Sequence, residues 1–270
     1  MKRLLVTLAL ASIALPSFAA IQYEFMLKNS SDDAAKPSSD MTGRATVDGF
    51  RSRVEFLSGT LYPPNTYVIT PDSTGRLYFV DPAKQWFTEI NTAGIATALG
   101  ASGIKIENVK STTETLPDRS KIAGIDTDHY RISISYDITV AMKNIPVKQH
   151  VQTDIDSWTT MKFGDVPQSF LTRGGHTGNT ELDRLLENQK ISGFPLRQLV
   201  TTRTQYDVPA RSKLERPSHR TMTRETWVTK IHEITAEASQ FTIPVSYRRA
   251  DQPELPRNAS QTLTFDSGTK

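Results

Sequence analysis

The chain has 270 residues, of which 37% are hydrophobic and 8% aromatic, with a formal net charge of +3 and no cysteine. The missing thiol excludes disulfides, cysteine-ligated zinc, a thiol nucleophile and a lipoprotein-type anchor, so stability must come from a buried core. Acidic and basic residues are mixed along the chain and Lys2 and Arg3 supply much of the small excess, so nothing points to nucleic acid as a partner.

Met1-Lys2-Arg3 precedes an apolar run from Leu4 to Leu15, which breaks at Pro16 before Ser17-Phe18-Ala19-Ala20. A basic start, an apolar stretch too short to span a bilayer, and small residues at Ser17 and Ala19 form a secretory signal, with cleavage expected after Ala19. Residues 1–19 are therefore read as a signal peptide and the mature chain is expected in the periplasm. No further transmembrane segment is expected once the signal is removed.

Period-two alternation then dominates, which predicts a mainly β protein. Ile21, Tyr23, Phe25 and Leu27 alternate with polar neighbours as a first strand, and the polar stretch Asn29 to Asp40 reads as a loop. Thr42 to Asp48 and Arg51 to Leu57 are joined at Asp48-Gly49, where glycine suits a tight hairpin. Tyr67 to Thr70, Arg76 to Val80 and Gln85 to Ile90 follow, separated by Pro71-Asp72-Ser73-Thr74-Gly75 and by Asp81-Pro82-Ala83-Lys84. Three successive hairpins imply one antiparallel sheet.

Ile95, Ala96, Ala98 and Leu99 lie at helical spacing, predicting a short helix between Asn91 and Gly103. Strands resume at Ile104 to Thr115, Ile122 to Tyr136 and Pro146 to Thr160. A helical block is predicted from Val166 to Lys190, with Leu182, Leu185 and Leu186 on one face and the gap Gly174-Gly175-His176-Thr177-Gly178 dividing it. Closing strands run from Phe194 to Tyr206 and Thr221 to Thr235 around the polar loop Pro209 to Pro217. Residues 251–270 read as a flexible polar tail.

The stretches Gly49-Phe50-Arg51-Ser52-Arg53-Val54-Glu55-Phe56, Tyr67-Val68-Ile69-Thr70-Pro71-Asp72 and Tyr78-Phe79-Val80-Asp81-Pro82-Ala83-Lys84-Gln85-Trp86-Phe87 occur in this order. Ile122-Ala123-Gly124-Ile125 leading to Tyr130, Asp156-Ser157-Trp158-Thr159-Thr160, and Trp227-Val228-Thr229 through Phe241-Thr242-Ile243-Pro244 follow. Together they resemble exported bacterial proteins of unassigned function with a fold similar to the LolA-like lipoprotein carriers. The resemblance implies an α+β domain over residues 20–250, in which a strongly curved antiparallel sheet forms an incomplete barrel and inserted helices cover its concave face. It supplies no catalytic residues. The long helical block and polar loops have no counterpart in the lipoprotein carriers.

A hollow of that kind would be apolar, because alternate residues of every strand point into it. Its expected lining is Phe56, Tyr67, Tyr78, Phe79, Trp86, Ile132, Ile134, Trp158 and Trp227. Alternation does not say which sheet face is concave, and ordinary packing competes as the reading of each residue. His129, His150, His176, His219 and His232 include no tight metal-ligand spacing, although His150 with Asp154 or Asp156, or His232 beside Glu233, could meet across strands. G-x-S-x-G and a phosphate-binding glycine loop are both absent. Asp154 and Asp156 share one face and read as solubilising.

Two basic clusters, Arg248-Arg249 and Arg211, Lys213, Arg216 with Arg220, read as solvated connections or as contacts to acidic headgroups or an anionic glycan. The expectation is a non-catalytic periplasmic protein, without catalytic residues, metal or cofactor, that binds an apolar or lipid-like ligand. An envelope assembly factor docking another protein through a sheet edge or helical lid is the alternative. A hydrolase with an unfamiliar site at His176 or Asp154 is the third reading.

Overall fold

The computed structural model describes residues 20–33, 38–74, 76–90, 105–142, 145–164, 191–207 and 218–250. The signal peptide, both predicted helical segments, the loop at Pro209 to Pro217 and the polar tail lie outside the described residues. The strands are β1 (Ala20–Ser31), β2 (Ser39–Asp48), β3 (Arg51–Gly59), β4 (Tyr67–Thr70), β5 (Leu77–Asp81) and β6 (Trp86–Ile90). They continue as β7 (Lys105–Ile122), β8 (Ile125–Met142), β9 (Ile145–Thr160), β10 (Phe194–Asp207), β11 (His219–Ile234) and β12 (Arg248–Arg249).

All twelve belong to one curved, open sheet in the order β12-β6-β5-β4-β3-β2-β1-β11-β10-β9-β8-β7, which does not close into a barrel. Every pairing is antiparallel except the short β12–β6 contact. Strands adjacent in sequence are adjacent in the sheet from β1 to β6 and again from β7 to β11. The two runs become one sheet because β11 returns to pair with the free edge of β1.

The strands are longer than their apolar alternation indicates. β1 continues to Ser31 and β2 begins at Ser39, so residues read as loop are partly ladder. Ile122 ends β7, and Ala123 and Gly124 turn the chain into β8 with φ of 50° and 78°. Two successive positive φ values match the right-handed twist of the flanking strands in a two-residue hairpin. The strand expected from Ile122 to Tyr136 therefore starts at Ile125, and the strand expected from Ile104 to Thr115 runs on to Ile122 and meets it in this hairpin. Backbone pairing on both sides outweighs the cost of a left-handed alanine.

One face of the sheet carries the core. Ile21, Tyr23, Phe25 and Leu27 of β1 lie opposite Val47, Ala45, Gly43 and Met41 of β2, and Val54 and Phe56 of β3 continue the rows. Val68, Phe79 and Trp86 extend the same cluster to β6, while Phe194, Leu196 and Val228 extend it towards β10 and β11. This is the inner face. Gly43 makes room for it: a Cβ there would overlap the Phe25 ring and sit 2.9 Å from the Glu55 carbonyl oxygen. After β3 the chain folds inward, burying Leu61 and stacking Tyr62 on Phe56 with centroids 4.1 Å apart and planes 9° apart.

The opposite face of β4 to β6 is also covered. Tyr67, Ile69 and Val80 form a second cluster with Tyr78, Phe87, Ile243 and Tyr247. A 3₁₀ turn at Ala238–Phe241 redirects the chain after β11, so that Phe241, Ile243 and Tyr247 pack on this outer side before the chain forms β12. Arg53 links the layers, with its guanidinium 3.8 Å from the Tyr67 ring centroid and its Nη1 donating to the Gln240 carbonyl at 3.3 Å. Among the described residues no helix is long and apolar enough to cross a membrane.

Candidate functional site

Register fixes which side chains of β8 to β11 share a face. One set of cross-strand rows reads Tyr130–Ser157–Gln198–Thr226, then Ile132–Ile155–Val200–Arg224, then Ile134–Thr153–Thr202–Met222, then Tyr136–Val151–Thr204–Arg220. These rows continue the core face, because Thr226 and Arg224 lie opposite Leu27 and Asn29 of β1. Ile132, Ile134 and Val151 are buried, Tyr130, Ile155 and Val200 are half-buried, and Met222 is 40% exposed. Threonine-rich β10 gives the trough a mixed floor, with Thr153 and Thr202 hydroxyls 3.3 Å apart and Gln198 donating to Ser157 at 3.4 Å.

Two arginines stand on this inner face. Arg224 is largely removed from water; burial lowers its pKa, and the nearby Tyr62 hydroxyl acts in the opposite sense. Burial in turn raises Tyr62. Arg224 Nε donates to Asn29 Oδ1 at 3.1 Å. Arg220, four places earlier along the same face, has a buried Nε without a hydrogen-bond partner among the described residues.

The other face of the same strands carries the carboxylates. Asp156 accepts from Arg131 Nε at 2.8 Å, and Asp154 accepts from Ser133 Oγ at 2.8 Å and Arg203 Nη1 at 2.6 Å. Burial acts to raise Asp154, but bonds from Ser133, Arg203 and Gln152 outweigh it and leave it below its usual range. Asp137 is held far below the carboxylate range by hydrogen bonds from His150, Asn108 and Lys148. Asn108 reaches it from an irregularity in β7 where φ is 56°.

His129 bridges two acids on this outer face. Its Nδ1 lies 2.8 Å from both Asp118 oxygens and its Nε2 3.1 Å from Asp156 Oδ1, while its ring stacks on Trp158 at 4.1 Å. Arg197 covers Trp158 at 4.6 Å and pairs with Glu225 at 2.6 Å. Beside them a shallow pocket of about 470 Å³ opens between the β7–β8 turn and β11, lined by Lys121, Ile122, Arg197, Glu225, Trp227 and Thr229.

The nine expected lining residues are thus divided. Phe56, Phe79, Trp86, Ile132 and Ile134 face inward, whereas Tyr67, Tyr78, Trp158 and Trp227 face outward. His150 meets Asp137 at 2.9 Å, while Asp154 and Asp156 are engaged by the cross-strand partners already described. His176 lies outside the described residues, and His232 is exposed. Among the described residues no three His, Asp or Glu side chains converge as metal ligands.

Arg248 and Arg249 form β12, where Arg249 pairs with Glu89 at 3.3 Å. Arg220, grouped by sequence with the late loop, belongs to β11 and faces inward. Arg224 is not among the residues expected from sequence, and its only signal there is the alternation of Arg220, Met222, Arg224 and Thr226 with Thr221, Thr223, Glu225 and Trp227.

No family model and no curated protein matches the chain. Among solved structures it is similar to a LolA superfamily protein from Nitrosomonas europaea, with 8% identity and a TM-score of 0.31, over 84% of this chain and 91% of that one.

Proposed function

We propose that the mature chain is a soluble, non-catalytic binding protein of the bacterial periplasm that holds an apolar, lipid-like ligand against the inner face of β8 to β11. Export rests on the signal-peptide pattern of residues 1–19, and a LolA-like half-barrel rests on the sequence motifs. The observation that carries the binding role is the inner face itself. Tyr130, Ile155, Val200 and Met222 stay half-buried or exposed on the inside of an open sheet, in rows continuous with buried Ile132, Ile134 and Val151. Apolar concave surface that is incompletely covered favours an apolar occupant.

The assembly-factor alternative draws less support from the sheet edges. The β7 edge carries Lys105, Glu107, Lys110, Glu114, Pro117 and Lys121, and is interrupted at Glu107/Lys110 and Leu116/Ser120. Charges, proline and bulges are the features that discourage strand addition. At the opposite end β12 covers part of β6.

The test is titration of delipidated mature protein with a fluorescent polyene fatty acid. Saturable uptake at one class of site is expected. Absence of uptake across a panel of acyl probes would overturn the proposal.

A further inference from the structure

We infer that the ligand of the inner face is an amphiphile with an anionic headgroup, a carboxylate or phosphate that Arg220 and Arg224 receive while its acyl portion lies along β8 to β10. The inference rests on the apolar-ligand reading and adds the chemistry of the polar end.

Charge is sorted by face in this part of the sheet. The outer rows hold Asp154, Asp156, Asp137 and Glu225, each engaged by a cation. The four inner rows from Tyr130 to Tyr136 include no aspartate or glutamate on β8 to β11, yet they include Arg220 and Arg224. Among the described residues Arg224 bonds only to the neutral Asn29 side chain, and the buried Nε of Arg220 bonds to nothing.

A desolvated guanidinium without a carboxylate is costly, and a buried unsatisfied N–H is rare enough to require a reason. An anion supplied by a ligand removes both costs at once, because guanidinium groups offer several donors to two or three acid oxygens. The two residues are four positions apart on one strand face, roughly 14 Å along the backbone at extended-strand rise. Extended side chains can close that gap over Met222, whose 40% exposure leaves room between them. The adjoining rows supply the apolar continuation, since Arg224 lies opposite Val200, which lies opposite Ile155 and then Ile132. Tyr62 flanks the same end from the loop after β3, with its hydroxyl in the field of Arg224.

The experiment is competition at pH 8 between a bound fluorescent polyene fatty acid and matched pairs of acyl ligands on delipidated mature protein. One pair is oleate and methyl oleate; the other is a dioleoyl phosphatidic acid and the corresponding neutral diacylglycerol. The acid of at least one pair should compete at a concentration about tenfold lower than its neutral partner, as expected for charge-assisted bonds to half-buried arginine. Preference within the first pair assigns a fatty-acid carboxylate, and within the second a phospholipid phosphate.

The Arg220→Gln/Arg224→Gln double variant should bring the ratio of acid to neutral potency towards one. Circular dichroism reports whether it is folded, and the wild-type ratios stand alone if it is not. Equal competition by acid and neutral ligands in both pairs would overturn the headgroup inference and leave the apolar site standing. Absence of any binding would remove the site and the inference together.

Discussion

Replacing Asp137 by asparagine removes a charge that the outer face of β8 and β9 has been built to hold. The carboxylate accepts from Asn108 Nδ2 at 2.7 Å, His150 Nδ1 at 2.9 Å and Lys148 Nζ at 3.1 Å, and its side chain is only 12% exposed. His150 and Lys148 are more than half exposed, so each of those pairs is worth no more than about 1 kcal/mol. The bond from Asn108 to a charged acceptor contributes roughly 1.5–3 kcal/mol. The introduced amide retains an acceptor oxygen, which offsets part of the loss, so the Asp137→Asn variant should be destabilised by about 2–3 kcal/mol at pH 7. Urea unfolding measures it.

The pH dependence fixes the cause. The folded-state pKa of Asp137 is depressed below the unfolded value of 3.8, so its stabilisation is complete above that value and is lost as pH falls through the folded pKa. The gap between wild type and Asp137→Asn should narrow steadily below about pH 4. A gap that is constant or wider at about pH 2.5 would refute the charged-acceptor account.

Gly43→Ala should destabilise the protein by about 1–3 kcal/mol in the same assay, since the new methyl overlaps both the Phe25 ring and the Glu55 carbonyl oxygen. Unchanged stability would mean that Phe25 does not pack on Gly43. Lys110→Val with Glu114→Val on β7 should promote edge-to-edge association, visible by size-exclusion chromatography with light scattering. An unaltered mass at high protein concentration would show that the remaining charges and bulges protect that edge by themselves.

Alternation located nearly every strand, and turn residues such as Asp48-Gly49 located their joints. What alternation could not supply was the face. Tyr67 and Phe79 both look like lining, but β4 pairs with β5 so that Val68, not Tyr67, lies beside Phe79 on the inside. Bulges compound the ambiguity: register shifts at Glu24/Phe25 and Pro195/Arg197 change the parity on which a count along the strand depends. Trp158 and Trp227, read as greasy lining, instead lie on the outer row with His129 and Arg197, where Trp158 serves as a platform for a histidine and a guanidinium.

The inner arginines were hidden for a different reason. A basic residue next to a polar loop resembles solvated surface, and only strand pairing shows that Arg220 and Arg224 share a face with Val200 and its neighbours. Composition carries charge but not the side of the sheet that bears it.

The most direct test of the central claim is to photolyse a diazirine-bearing acyl probe bound to delipidated protein and map the labelled residues by mass spectrometry. Labels on inner-face positions such as Ile155, Val200 and Met222, lost when unlabelled ligand is added in excess, are expected. Labels confined to outer-face positions such as Met26 and Trp227, or labelling that excess ligand does not suppress, would contradict it.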